Sequence, residues 1–242
     1  METSVFALYC GGVFIASLVQ GISGFAFSMI ALPLFLLFFS YTQSLALLNV
    51  LGLVITFYTS FLYRKDCEWR WIPLGTVASV AGDVLGILIL RQVGEQPVWY
   101  PLLGLLFVAL AAYLLWGQAR VQLRVCKRNL ILCAALAGFF TGICGVGGPI
   151  MAAFLLTATK SKMAYLSTMQ IIWIGMMIVD VALRLSLGMM TVALGSLAFW
   201  GCVIMAAGLL LAKRLVRYMD PMLLRRIVCM VMMVTGVLLL VR

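Results

Sequence analysis

The stretches GISGFAFSMI (residues 21–30) and GICGVGGPIM (residues 142–151) repeat one pattern, Gly-Ile-x-Gly followed by small and apolar residues. Both lie inside long apolar runs, where glycine and proline disfavour a continuous helix. The two stretches are 121 positions apart, which is half of the 242-residue chain. They predict a duplicated chain in which a helix is interrupted at the same place in each copy.

The composition identifies the class of protein in which these interruptions occur. The chain is 65% hydrophobic and 10% charged, with a mean hydropathy of +1.19, whereas soluble domains carry about 25% charged residues. No run alternates with the period of two that a membrane β-barrel needs. The sequence therefore predicts an all-α integral membrane protein whose apolar runs, most of them near the ~20 residues that span a bilayer as helix, lie at about positions 5–39, 44–63, 72–90, 98–116, 130–157, 164–183, 190–212 and 223–241.

The internal repeat extends beyond the two glycine-rich stretches. A shift of 121 positions also aligns an amide side chain in each copy. We predict two membrane repeats, 1–121 and 122–242, which form one transport domain and are joined by the basic linker GQARVQLRVCKRN (residues 117–129). The pairs aligned by the shift are Gly21 with Gly142, Ile22 with Ile143, Gly24 with Gly145, and Asn49 with Gln170.

The basic residues predict how the two repeats are oriented. Eight plain crossings would divide the 17 basic residues nine against eight, which gives no positive-inside bias. If the first and fifth runs each enter and return, or cross twice, Arg91, Arg184 and Arg242 lie on one side and the other fourteen on the cytoplasmic side. We therefore predict inverted repeats with outward-facing termini, each containing a broken helix pair and three transmembrane helices. We call the predicted interruption at residues 21–24 the first break and that at residues 142–149 the second break.

A break within a bilayer leaves backbone amides and carbonyls unpaired, which is tolerated where the break is buried in protein or lines a wet cavity. The amides that start each second arm present the positive end of a helix dipole, an arrangement that suits an anion. Close helix packing is the alternative reason for each glycine taken singly. The predicted substrate-binding residues at the breaks are Gln20, Gly21, Ser23, Gly24, Thr141, Gly142, Cys144, Gly145, Gly147, Gly148 and Pro149.

Two amide side chains extend the predicted site. Asn49 and Gln170 lie within later apolar runs at matching repeat positions, and a buried amide is costly unless it is hydrogen-bonded. They are candidates for substrate binding, and hydrogen bonding between helices is the equally weighted alternative.

Two carboxylates lie within apolar runs, and the chain has no histidine. Asp83 is near the middle of its run, where an unpaired charge is costly, and it is the candidate for proton coupling. Asp180 precedes Arg184 by four residues, a spacing that predicts an ion pair on one helix face. We expect that pair at the membrane interface.

Several functional classes are disfavoured by the sequence. The basic residues cluster in short loops, so the net charge of +10 is explained by membrane topology rather than by nucleic-acid binding. The seven cysteines form no CxxC pair, which predicts no metal site or disulfide framework, and no cofactor is expected. Without histidine, and with few Ser and Asp residues in no recognisable set, we do not expect an enzyme.

The chain resembles the TauE/SafE sulfite exporter family, also called the toluene sulfonate uptake permease family, over essentially its whole length. The resemblance rests on GISGFAFSMIALP (residues 21–33), TGICGVGGPIMAAF (residues 141–154) and GDVLGILILR (residues 82–91). The first copy departs from the family's fuller glycine run at Phe25, Ala26 and Phe27. The resemblance implies movement of sulfite, an organosulfonate or a related organic anion across the bacterial inner membrane, outward in the namesake cases.

The favoured hypothesis is therefore a multi-pass secondary transporter whose partners are a small anionic substrate and the lipid bilayer, working by alternating access. The alternative is a membrane-embedded structural or partner subunit without its own transport pathway. A homo-oligomer is compatible with either hypothesis.

Overall fold

The computed structural model describes residues 3–23, 26–94, 96–112, 124–189, 192–215 and, between 229 and 240, all but 231, 235 and 238. These residues form helices and connecting turns, and no strand occurs among them. A short 3-10 helix, Arg64–Asp66, follows α3, and the described residues of 229–240 are also helical. The α-helices are α1 (Thr3–Ser23), α2 (Phe27–Phe35), α3 (Tyr41–Tyr63), α4 (Ile72–Val93), α5 (Trp99–Ala112), α6 (Lys127–Cys144), α7 (Gly148–Ala158), α8 (Lys162–Ser186) and α9 (Val192–Leu215).

Five of these helices are long and apolar enough to cross a membrane: Tyr41–Phe61, Ile72–Val93, Lys127–Cys144, Met163–Ser186 and Gly195–Ala212. Large apolar side chains such as Phe57, Phe61 and Val77 are exposed on their surfaces, as expected for helices that face lipid tails. The prediction of an all-α, multi-pass membrane protein is confirmed.

The chain forms two compact units, and each takes segments from both halves of the sequence. The first unit comprises residues 1–51, 95–117 and 190–242, and the second comprises residues 52–94 and 118–189. Among the described helices, the first unit therefore contains α1, α2, α5 and α9 with the start of α3, and the second contains α4, α6, α7 and α8 with the rest of α3. The division of the sequence into repeats at residue 121 stays a prediction.

In the first unit, small residues bring α1 and α9 together. A Cβ on Gly21 would lie 2.6 Å from the Cβ of Ala212, and one on Gly208 would overlap the Ser17 hydroxyl. The Tyr9 hydroxyl donates a hydrogen bond to the Leu197 carbonyl oxygen at 2.8 Å. This packing is typical of membrane helices, because small side chains allow two backbones to approach closely.

In the second unit, glycines on both helices bring α4 and α6 into backbone contact. A Cβ on Gly82 would overlap the carbonyl oxygen of Ala135, one on Gly138 would overlap that of Ser79, and one on Gly142 would meet that of Asp83. Residue numbers increase together along the contacts between the two helices, so α4 and α6 run in the same direction. Any side chain larger than hydrogen would push these backbones apart.

One end of the second unit is held together by the loop that precedes α4. Glu68 accepts a hydrogen bond from the Lys160 amide at 3.1 Å, and its own amide donates to the Thr168 hydroxyl at 2.9 Å. The Arg70 guanidinium donates to the carbonyl oxygen of Ala158, the last residue of α7, at 3.3 Å. Since Gly75 near the start of α4 faces Leu130 near the start of α6, α6 begins at this end of the unit and α7 ends at it.

Candidate functional site

The first break lies between α1, which ends at Ser23, and α2, which begins at Phe27. Gln20 is buried, and its side-chain Oε1 accepts a hydrogen bond from the Phe27 amide at 2.9 Å. That amide is one of the first in α2, which have no partner within the helix. One of the amides that the sequence predicts to bind an anion here is therefore already hydrogen-bonded to Gln20. Gly24 and the side chain of Ser23 lie outside the described residues.

The second break lies between α6, which ends at Cys144, and α7, which begins at Gly148. Gly145 has φ 68° and ψ 10°, the left-handed conformation that glycine adopts most readily, and its amide donates to the Thr141 carbonyl oxygen at 2.8 Å. Pro149 lies in the first turn of α7, where a missing amide hydrogen costs little. All residues from 141 to 149 are buried, so this irregular backbone lies inside the second unit.

Thr141 lies 121 positions after Gln20 but forms a different bond. Its hydroxyl donates to the Ala137 carbonyl oxygen in its own helix at 2.8 Å. Gly147 packs so closely against Ala137 and the Thr141 hydroxyl that a Cβ would overlap both. Of the first amides of α7, those of Ile150 and Met151 donate to the Gly147 carbonyl oxygen at 3.2 and 3.4 Å, and Pro149 has no amide hydrogen. The Gly148 amide has no acceptor within that helix.

A buried ion pair lies against the end of α6. Arg184 Nε and Nη2 donate to the two carboxylate oxygens of Asp180 at 2.9 and 3.2 Å, and Nη2 also donates to the Gly142 carbonyl oxygen at 2.7 Å. The predicted pair exists, and both of its side chains are 0% exposed, while its expected location at the membrane interface stays a prediction. The helical packing of α8 in the second unit carries both groups inward, and the Gly142 carbonyl compensates part of the buried positive charge.

Asp83 lies on α4 beside this ion pair. Its side chain is fully buried, and neither carboxyl oxygen has a partner that satisfies hydrogen-bond geometry among the described residues. Two charged side chains act on it. That of Asp180 has the same charge, and that of Arg184 has the opposite charge. Since the Asp83 carbonyl oxygen also packs against Gly142, this acid and the end of α6 are neighbours.

The remaining predicted site residues have structural surroundings of their own. Asn49, Gln170 and Cys144 are buried, and each has interactions within the protein. Gly21 contacts α9, and Gly142 contacts α4, so close packing accounts for both of these glycines. Asn49, Gln20 and Gly21 belong to the first unit, whereas Asp83, Gln170 and the residues of the second break belong to the second unit.

The role of Arg184 at the second break was missed by the sequence interpretation. The sequence shows an acidic and a basic residue four positions apart inside an apolar run. Whether this pair is buried depends on how α8 packs. A signal existed, because a charged pair within a membrane run is more often turned toward protein than toward lipid. The second break thus places the first amide of α7 in buried, irregular backbone, with a buried guanidinium and a buried acid beside the end of α6. Such groups bind anions and protons.

Comparisons with known proteins agree with this chemistry. No curated protein and no solved structure matches the chain. The family model described as Sulfite exporter TauE/SafE matches residues 9–239. With its five membrane-length apolar helices, the protein is a multi-pass membrane transporter of the sulfite-exporter type, and it belongs to the TauE/SafE family.

Proposed function

We propose that this protein is a secondary transporter that moves a small anion, either sulfite, an organosulfonate or a related organic anion, out across the bacterial inner membrane by alternating access. The second break is the observation that carries the proposal. It is irregular backbone buried in a membrane protein, where unpaired polar groups are costly unless they bind something. A small oxyanion would supply an acceptor for the Gly148 amide, the first of α7.

The substrate-binding residues proposed at the second break are those that form or flank its turn. Gly145 sets the chain direction, and Gly148 and Pro149 begin α7. Thr141 contributes a hydroxyl that is bonded only within its own helix, so turning it to an anion would cost little. The other proposed residues are Gly142, Cys144, Gly147 and Gln170 in the second unit, and Gln20, Gly21, Ser23, Gly24 and Asn49 in the first.

We further propose that residues 1–121 and 122–242 are inverted repeats, each with a broken helix pair. The support is the repeated glycine pattern and the count of basic residues, which is fourteen against three if the first and fifth runs each enter and return, and nine against eight if all runs cross once. In transporters built from inverted repeats, the two halves exchange conformations and so open a central site alternately to each side. Asp83 is the proposed proton-coupling residue of this transporter.

A structural or partner subunit without its own pathway is the second candidate. Gly142 and Gly147 favour it, because both are explained by close backbone packing alone. This alternative predicts that the protein moves no anion when it is purified and reconstituted by itself.

The test is a flux assay with the full chain in proteoliposomes. The probes are sulfite, sulfate, thiosulfate, sulfoacetate and short carboxylates, each with and without a pH gradient. We expect one or more of these anions to move, and we expect flux to fall sharply in Gly145→Leu and Asn49→Leu. No movement of any probe in the wild-type protein would reject transport of these anions and favour the structural subunit.

A matched control separates loss of the site from backbone strain. Gly188 has φ 69° in the turn after α8, and nothing would meet an added Cβ there. Gly188→Leu therefore imposes the left-handed strain of Gly145→Leu at an exposed position outside the break. We expect Gly188→Leu to keep its flux. Equal loss in the two variants would withdraw the assignment of Gly145 to the substrate site.

A further inference from the structure

Three charged side chains are buried together in the second unit: Asp83 on α4, and Asp180 and Arg184 on α8. Each is 0% exposed. With both acids ionised, the cluster carries one net negative charge inside a membrane protein. A buried charge without compensation is expensive, and binding one proton removes it.

The hydrogen bonds indicate which acid lacks compensation. Asp180 accepts bonds from Nε and Nη2 of Arg184, so these two groups form a complete two-point ion pair. Both oxygens of Asp83 are left without a partner of good geometry, and Arg184 Nη1 is also buried without one. A negative charge on Asp83 would be repelled by the nearby Asp180 and would lack a cation of its own, which favours a proton on Asp83.

Among the residues that the structure describes, no other charged group near Asp83 could replace this proton. The charged groups acting on Asp83 are Asp180 and Arg184. From α6 it is faced by Gly138 and Gly142, which have no titratable side chain. The next charged residue on α4 is Arg91, two turns away and exposed.

The same cluster contacts the second break through Gly142. The carbonyl oxygen of Gly142 accepts a 2.7 Å bond from Arg184 Nη2, and its Cα packs against the Asp83 backbone. Gly142 lies three residues before Gly145, where α6 ends. A movement of Arg184 toward Asp83 therefore pulls on the last turn of α6.

We infer that Asp83 holds a single proton beside the Asp180–Arg184 ion pair and that Arg184 couples this proton site to the second break. When the proton is bound, Arg184 stays on Asp180 and Gly142. When it leaves for water, the second negative charge attracts Arg184 Nη1 and weakens the bond to Gly142. The inference rests on the proposed transport function and names its coupling ion, a proton, with Arg184 as a positioning residue.

Infrared spectroscopy of the full chain in liposomes tests the proton site without any anion. We expect the C=O stretch of a protonated carboxyl group at neutral pH, with a shift upon exchange into D₂O. The band should be lost in Asp83→Asn, shifted in Asp83→Glu, and retained in Asp66→Asn, which removes an exposed acid. A wild-type spectrum without the band, or a band that persists unchanged in Asp83→Asn, would overturn the proton on Asp83.

Flux measurements test the coupling. We expect a pH gradient to stimulate wild-type flux of a transported probe such as sulfite, and this stimulation to be lost in Asp83→Asn and reduced in Arg184→Lys, while Asp66→Asn keeps it. Stimulation that survives in Asp83→Asn, or is absent from the wild-type protein, would overturn coupling at this site. A protonated carboxyl band in a wild-type protein that moves no probe anion would reject the proposed transport and leave the proton site intact.

Discussion

The two breaks share a sequence pattern but differ in how the second arm begins. At the first break, the Gln20 side chain reaches seven residues forward and accepts the Phe27 amide of α2. At the second, Thr141, which lies 121 positions after Gln20, donates backward to Ala137, and the Ile150 and Met151 amides of α7 donate to the Gly147 carbonyl oxygen. A side chain of α1 thus caps α2, whereas a backbone carbonyl accepts from the start of α7, and the Gly148 amide is the one proposed to bind an anion. Equal roles in anion binding do not follow from equal glycine patterns.

The surroundings of the two breaks differ as well. Gly21, before the first, faces the Ala212 side chain on α9. Gly142, at the matching position, faces the backbone of α4 and accepts a bond from a buried arginine through its carbonyl oxygen. An added Cβ at Gly142 would meet three backbone atoms of α4 within 3.1 Å, whereas one at Gly21 would meet a single methyl group of α9 at 2.6 Å, so Gly21 requires the smaller rearrangement. We expect the second break to be the less tolerant of the two.

Alanine at these matched glycines should produce the largest difference. An added methyl in Gly142→Ala would meet the Asp83 carbonyl oxygen and the Ile87 amide nitrogen, and we expect a loss of about 3 kcal/mol in unfolding free energy. Gly21→Ala meets a side-chain methyl, and we expect a loss of about 1 kcal/mol. Denaturant unfolding in detergent measures both.

A glycine in open surroundings provides the control for helix propensity. Gly195 on α9 has nothing within 4 Å of an added Cβ, so Gly195→Ala should be neutral or stabilise by up to about 1 kcal/mol. Equal losses in Gly142→Ala and Gly21→Ala, after this correction, would contradict the difference between the two surroundings.

The fold class followed from the sequence because it depends on local properties. Hydropathy and run length predicted membrane helices, and five helices of sufficient length and hydropathy confirm that prediction. The burial of Arg184 and the hydrogen bond from the Phe27 amide to Gln20 could not be predicted in the same way. The first depends on how α8 packs in its unit, and the second on the turn that brings Phe27 back to Gln20. A sequence pattern records neither arrangement.

Removing the side-chain amide of Gln20 should have the next largest effect on stability. Gln20→Leu leaves the buried Phe27 amide without its acceptor, and an unsatisfied buried donor costs about 1–3 kcal/mol. Thermal or denaturant unfolding measures the loss, and hydrogen exchange at the Phe27 amide should accelerate.

Gln43 offers a matched glutamine at another helix start. Its Oε1 accepts the Ser40 amide at 3.3 Å, and the side chain is only half-buried, so water can replace it in Gln43→Leu. We expect this variant to lose less stability than Gln20→Leu. If the two lose the same amount, the first break does not depend on its buried cap.

The smallest change in stability is expected at Thr141, where the change in transport should be more evident. Because the Ala137 carbonyl oxygen also accepts the helical amide of Thr141, the hydroxyl bond is supplementary, and Thr141→Val should cost less than about 1 kcal/mol. If the hydroxyl turns to a transported anion, loss of that bond should raise the KM of the flux about tenfold.

Thr157 separates these two effects, since its hydroxyl also bonds within its own helix, to the Phe154 carbonyl oxygen at 2.7 Å, but lies at the exposed far end of α7. Thr157→Val should leave both stability and KM close to wild type. A Thr141→Val variant that is destabilised as much as Gln20→Leu, with an unchanged KM, would make Thr141 a structural counterpart of Gln20. In that case the chemical difference between the two breaks would rest on the neighbouring Arg184 and Asp83 rather than on the missing cap.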